Sequence, residues 1–162
     1  DDIVEVVAGD RIDLGDVTVS VVPARHSAQR WPIGRRAEPV GYVIEHGGTV
    51  GWSCYFAGDT DVFDDMAGLR GTDVALLPVW GWGPTAGHGH LDPERAATAV
   101  DIIRPTAVVP IHWGTLWPAG LGRYKRHRLT DPPHELADSL ERLGVATDLR
   151  LLAPGDAFHH DA

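Results

Sequence analysis

The chain has 162 residues, enough for one domain or a piece of a larger one, and 43% of them are hydrophobic, as in an ordinary globular protein. Against 14 Lys+Arg stand 23 Asp+Glu, a formal net charge of −9, which argues against an electrostatic grip on nucleic acid or on an anionic membrane surface. The single cysteine, Cys54, excludes an internal disulfide framework, and no apolar run has the length of a membrane span. A reducing, cytoplasmic compartment is the expectation.

In chain order, Asp2–Val7 reads as a short strand, with Gly9-Asp10 as a turn. Arg11–Leu14 and Val17–Ala24, joined by Gly15-Asp16, read as a hairpin, because an acid beside Gly between alternating apolar runs favours a tight reversal. The loop to Pro39 holds Arg25, Arg30, Arg35 and Arg36. Val40–Glu45 and Thr49–Phe56 form a second hairpin around His46-Gly47-Gly48. Thr60–Leu69 has the spacing of a short helix capped by Thr60 or Asp61, with Val62, Phe63, Met66 and Leu69 on one face. Val74–Val79 is a strand apolar enough to be buried on both faces. After the Gly-rich loop Trp80–His90, Asp92-Pro93-Glu94 opens a helix with cap, proline and acid in their preferred places, and Pro105 stops it. Ala107–Ile111 is a strand. Asp131-Pro132 opens a last helix with Leu136, Leu140 and Leu143 on one stripe and Gly144 as its stop, and Val145–Leu152 returns as a strand. The order predicts a mixed α/β domain over residues 1–158 with a mobile tail at 159–162.

Three of these strands end on residues that can bind a metal. His26 follows Val17–Ala24, Asp59 follows Val50–Phe56 through Ala57-Gly58, and His112 follows Ala107–Ile111. Strand carboxyl ends are where α/β proteins tend to place ligand chemistry. Imidazole nitrogen and carboxylate oxygen suit Zn²⁺, Mn²⁺ or Fe, and a carboxylate has two oxygens with which to bridge two ions. Each residue also has a plainer reading: His26 as a surface-loop histidine, Asp59 as a turn or helix-capping acid, His112 as a satisfied core histidine. His90, just before a helix start, is read as facing a cavity, where it could polarise a substrate oxygen or protonate a leaving group; the plain reading is a capping interaction with Asp92. Asp61, Asp64 and Asp65 read as solvated helix-start acids, since the central Gly and terminal Glu of a calcium loop are missing. Cys54 reads as a buried small hydrophobe. Trp31, Trp80, Trp82, Trp113 and Trp117 lie near these segments and would suit an apolar pocket.

Four ordered stretches, Pro23-Ala24-Arg25-His26, Tyr55-Phe56-Ala57-Gly58-Asp59-Thr60, His90-Leu91-Asp92-Pro93-Glu94 and Ile111-His112-Trp113-Gly114-Thr115, together resemble the metallo-β-lactamase superfamily. Within it they look like the branch of N-acyl phosphatidylethanolamine phospholipase D and the ascorbate-phosphate lactonases. The resemblance covers nearly the whole chain and fits the C-terminal half of that domain. It implies an α+β fold, a four-layer αββα sandwich with a dinuclear site between the sheets. It makes His26 and His112 terminal metal ligands, Asp59 the bridging carboxylate, and His90 a non-ligand catalytic histidine beside the substrate. The cofactors implied are two divalent ions, zinc first, manganese or iron next. The reaction implied is attack by a metal-bound hydroxide on a phosphodiester, lactone or other ester, and the partner implied is a small-molecule or lipid-like ester.

The departure is the family's His-x-His-x-Asp-His motif, which is absent; His88-x-His90 lies in another place and lacks the Asp-His that should follow. The expectation is therefore a chain that carries the back half of a longer hydrolase and is inactive alone. A missing N-terminal half, or a second chain, would pack on the apolar sheet face left exposed. The competing readings are a degenerate module that binds a metal or partner without turnover, and a non-enzymatic metal- or carbohydrate-binding β-rich domain.

Overall fold

A computed structural model describes residues 3–26, 38–48, 51–80, 89–115, 126–153 and 155–159. Seven strands form one sheet in simple chain order: β1 (Arg11–Asp13), β2 (Val17–Pro23), β3 (Val40–His46), β4 (Trp52–Phe56), β5 (Val74–Pro78), β6 (Ala107–Ile111) and β7 (Asp148–Leu149). The first four meander antiparallel; β4, β5, β6 and β7 are mutually parallel. Because two reversals separate them, β2 runs in the same direction as β4. The carboxyl ends of β2, β4, β5 and β6 therefore share one edge of the sheet.

Parallel strands need crossovers, and two helices supply the longest of them: α1 (Pro93–Ile103) between β5 and β6, and α2 (Pro132–Leu143) between β6 and β7. Asp92 caps α1 by accepting the Arg95 N–H at 2.8 Å, and the helix ends on Arg104 in the left-handed region before Pro105. Gly144, at φ 65°, ends α2 as its sequence position predicts. Both helices lie on one face of the sheet. There Tyr55, Ala75, Leu77 and Val108 pack with Ala96, Val100, Ile103, Leu136 and Leu140 in a core that excludes water.

The period of two sends the alternate residues to the opposite face. Cys54, Val74, Leu76, Ala107, Val109 and Ile111 cluster there with Leu152 and Phe158. A groove of about 520 Å³ runs among Trp52, Cys54, Leu76, Val109 and Phe158, and Trp52 and Phe56 each stay 37% exposed. Burial raises the Cys54 thiol pKa, as befits a small hydrophobe rather than a nucleophile. The described residues thus make two layers, one sheet and one sheet of helices, with the second sheet face apolar and only partly covered.

Three sequence expectations need correction. Residues 3–7 form no strand; Ile3, Val4 and Val7 are exposed, and Val7 instead closes a turn in which its N–H donates to the Asp10 carboxylate. The helix expected over Thr60–Leu69 is a 3-10 helix from Asp64 to Leu69, and Phe63 at its N-cap offers no side-chain acceptor. The last strand is only Asp148–Leu149, since Val145–Thr147 is spent leaving α2 and reaching the sheet edge. Phe158, the last residue of the expected domain, packs on the second sheet face with Arg150 above its ring at 4.9 Å. Arg30, Arg35, Arg36, His88, Trp31, Trp82, Trp117 and His160 lie outside the described residues, as do Thr49 and Val50 of the expected second hairpin.

Candidate metal centre

The shared edge brings the four singled-out residues together. His26 leaves β2 and Asp59 leaves β4. His112 leaves β6, and His90 comes from the segment that enters α1. His26, Asp59 and His90 each offer a ligand atom, and the three atoms lie within 4.8 Å of one another. The His26 and His90 Nε2 atoms are 2.9 Å apart, with the two rings edge to face. His112 Nε2 is 3.1 Å from Asp59 Oδ1.

The backbone that delivers these side chains is unusual at two points. Gly58 has φ 61°, which lets the chain turn sharply from β4 into Asp59, with the Val40 carbonyl close behind it. His112 has φ 58°, a conformation that costs a non-glycine residue energy and clusters at functional sites. At the other side of this corner, β3 runs close under the end of β4 because Gly41 has no side chain: a Cβ there would meet the Phe56 carbonyl at 3.0 Å.

His112 is oriented by a group that carries no side-chain signal. Its Nδ1 lies 2.9 Å from the Trp80 carbonyl. A carbonyl only accepts, so Nδ1 carries a proton, and in the uncharged form of the ring Nε2 presents a lone pair. That lone pair faces the Asp59 carboxylate, another acceptor. Two acceptors at 3.1 Å require a cation or an added proton near them. The two Nε2 atoms of His26 and His90 can share one proton in an N–H···N hydrogen bond, or present two lone pairs to a cation, depending on tautomer. An Nδ1–H tied to a backbone carbonyl is also the usual outer-shell support of a metal-binding histidine.

His90 differs in environment. Its pKa is lowered, first by burial and next by the neighbouring His26, with Asp59 pulling the other way and His112 adding to the fall. The ring is therefore neutral at neutral pH. Its Nδ1 is buried and meets no hydrogen-bond partner among the described residues. The capping reading fails, since Asp92 spends its carboxylate on Arg95 N–H while His90 turns to His26.

The acids after Asp59 divide. Asp64 and Asp65 are exposed, as expected, but Asp61 is not a solvated acid: it is 7% exposed and accepts Arg95 Nε at 2.6 Å. Sequence reasoning missed Arg95, whose exposed position on a helix gave no sign of a partner in another segment. It placed Trp80 near the site as an apolar side chain, whereas Trp80 acts here through its main-chain carbonyl. Of the tryptophans expected near the site, Trp113 bonds the Pro110 carbonyl through Nε1 at 3.1 Å and packs on the core, which makes it structural. Arg25 is exposed beside His26, while its companions in the basic loop are not described.

Comparison with known proteins bears on what such a cluster does. Residues 1–113 match the family model of the β-lactamase superfamily domain. A UPF0173 metal-dependent hydrolase of Deinococcus radiodurans is 37% identical over 142 residues, 86% of this chain and 53% of that protein. The chain is similar in structure to Igni18, a metallo hydrolase from the hyperthermophilic archaeon Ignicoccus hospitalis, with a TM-score of 0.69 and 26% identity over 94% of this chain and 58% of that one. The metallo-β-lactamase fold protein YhfI of Bacillus subtilis has a TM-score of 0.61 at 10% identity, covering 92% of this chain and 52% of its own, a likeness of fold alone. The chain spans about half the length of the curated relatives it matches.

Proposed function

The chain belongs to the metallo-β-lactamase superfamily, and from that premise we propose that it is the C-terminal part of a metal-dependent hydrolase acting on a phosphodiester, lactone or other ester. The observation that carries the proposal is the convergence of His26, Asp59, His90 and His112 from four separate segments on one sheet edge. We take His26, Asp59 and His112 as metal ligands and His90 as the catalytic residue.

The donor set fits a divalent ion. Lone pairs and a carboxylate crowd together with no lysine or arginine bonded to them among the described residues, and the Trp80 carbonyl fixes His112 in the tautomer a metal needs. When bound, zinc or a similar ion would supply a Lewis acid and bring the pKa of a water down to about 7. The chain's own residues supply the rest. Asp59, with two carboxylate oxygens at the end of β4, stands between His26 and His112 and would hold two ions together. His90, neutral and partly buried beside them, would donate its N–H to the substrate oxygen on which charge develops.

Three ligands among the described residues cannot close two ion sites, and we propose that further ligands lie in sequence outside this chain. The apolar groove at Trp52, Cys54, Leu76 and Val109 supports it, because such a sheet face is stable when another layer covers it. The missing N-terminal half, or a second chain, is the proposed cover. A neutral or lipid-like ester fits the negative net charge better than a polyanion does. No helix among the described residues is long and apolar enough to cross a membrane, and the single cysteine suits a reducing compartment, for which we propose the cytoplasm.

The test compares the full reading frame with the 162-residue chain on a panel of phosphodiesters, lactones and carboxylic esters. The full protein is expected to hydrolyse at least one class, to lose that activity to a chelator and to regain it with zinc or manganese. The short chain is expected to bind metal weakly and turn over little or nothing. Robust hydrolysis by the short chain would contradict the division of ligands. Chelator-resistant turnover would contradict the metal.

A further inference from the structure

Asp59 is followed by a residue with no access to solvent: Thr60 is 0% exposed. Its hydroxyl accepts the Arg25 N–H at 2.9 Å and donates to the Asp61 carbonyl at 3.0 Å. Its own carbonyl accepts the Leu91 N–H at 2.9 Å, and the next N–H, that of Asp61, donates to the Arg25 carbonyl at 2.8 Å. Arg25 precedes His26, and Leu91 follows His90. One buried residue next to Asp59 thus holds the main chain beside both of the other donors in the cluster.

None of these bonds belongs to the sheet ladder, which ends at Pro23 and Phe56, or to a helix, since α1 begins at Pro93. Beyond the strand ends these bonds, with the His26–His90 contact and the Asp61–Arg95 pair, tie the three segments to one another. Asp61 anchors the junction from the other side. Its carboxylate takes Arg95 of α1 and the Val62 N–H at 2.7 Å.

We propose that Thr60 is a positioning residue: its side-chain hydroxyl and main-chain carbonyl clamp the segments bearing His26, Asp59 and His90, and so set the spacing of the donor cluster. This rests on the reading of His26 and Asp59 as metal ligands. Partners that hydrogen-bond a metal ligand directly typically set affinity by about 10–100-fold, and Thr60, which holds the main chain next to the ligands, acts one step further out, so the low end of that range is expected. Thr60→Val keeps the volume and removes the hydroxyl; Thr60→Ser keeps the hydroxyl and removes the methyl.

The experiment titrates Co²⁺ into metal-free full-length protein and follows its visible absorption, with thermal unfolding of the metal-free proteins in parallel. Thr60→Val is expected to weaken Co²⁺ binding by about 10-fold and to alter the absorption band, and Thr60→Ser to restore both. If Thr60→Val does not fold, Thr60→Ala removes the same hydroxyl without placing a methyl against the buried N–H and takes its place. Wild-type Co²⁺ affinity and spectrum in the hydroxyl-free variant, with only a lower unfolding temperature, would overturn the proposal and leave Thr60 a packing residue. Failure of Thr60→Ser to rescue would overturn it as well, since the methyl would then be what matters. Asp59→Asn separates the two readings: should that variant bind Co²⁺ as the wild type does, the metal site itself is misassigned, and the proposal falls with it.

Discussion

Asp59→Asn in the full-length protein is expected to abolish hydrolysis and to weaken both metal positions. The change is nearly isosteric and should leave β4 and the Gly58 turn in place. What it removes is a negative charge at the one residue, among those described, that lies both 3.1 Å from His112 Nε2 and within the donor group of His26 and His90. An amide offers one weak oxygen donor where the carboxylate offers two charged ones, so the proposed bridge between two ions would be lost. Activity assays together with metal content check this. Turnover near the wild-type rate in Asp59→Asn would sink the assignment of the site.

His90→Ala is expected to do something different: to keep the metals and lower the rate by about 10²-fold or more. His90 comes from the segment entering α1 rather than from a strand end, and burial favours its neutral ring, which keeps one N–H to donate. These features suit a hydrogen-bond donor to a substrate oxygen. Its Nε2 is also 2.9 Å from that of His26, so a ligand role is the competing reading. Metal analysis of the purified variant decides between them. Full metal content with a slow rate supports catalysis, and a lost ion makes His90 a ligand.

Much of the fold was legible because its signals are local. Hairpin turns at Gly15-Asp16 and around Gly47, the Asp92-Pro93 start of α1, and the leucine stripe of α2 with its Gly144 stop each depend on a few neighbouring residues, and each stands where expected. Residues 3–7 misled because a run of Val and Ile has the composition of a strand without a partner to pair with. Thr60 and Asp61 misled for a related reason. Both are good helix caps by type, yet tertiary partners, Arg25 for one and Arg95 for the other, claim their side chains. A capping preference of about 1 kcal/mol is readily outweighed where Asp61 gains a charge-assisted bond to Arg95 and the buried Thr60 hydroxyl must be satisfied by its neighbours.

The convergence of His26, Asp59, His90 and His112 was legible through motif order, since each follows a strand or precedes a helix. What sequence could not show is the support behind them. Trp80 serves His112 through a carbonyl, and Thr60 binds Arg25 and Leu91 through main-chain groups. Such contacts depend on where the chain passes, and every residue type has a carbonyl to offer.

The most direct measurement is anomalous diffraction at the zinc absorption edge from crystals of the full-length protein. The account predicts two strong peaks, one beside His26, one beside His112, with Asp59 reaching both. A single peak bounded by His26, Asp59 and His90 would contradict the dinuclear reading and the catalytic role of His90. Peaks remote from this edge of the sheet would contradict the site altogether.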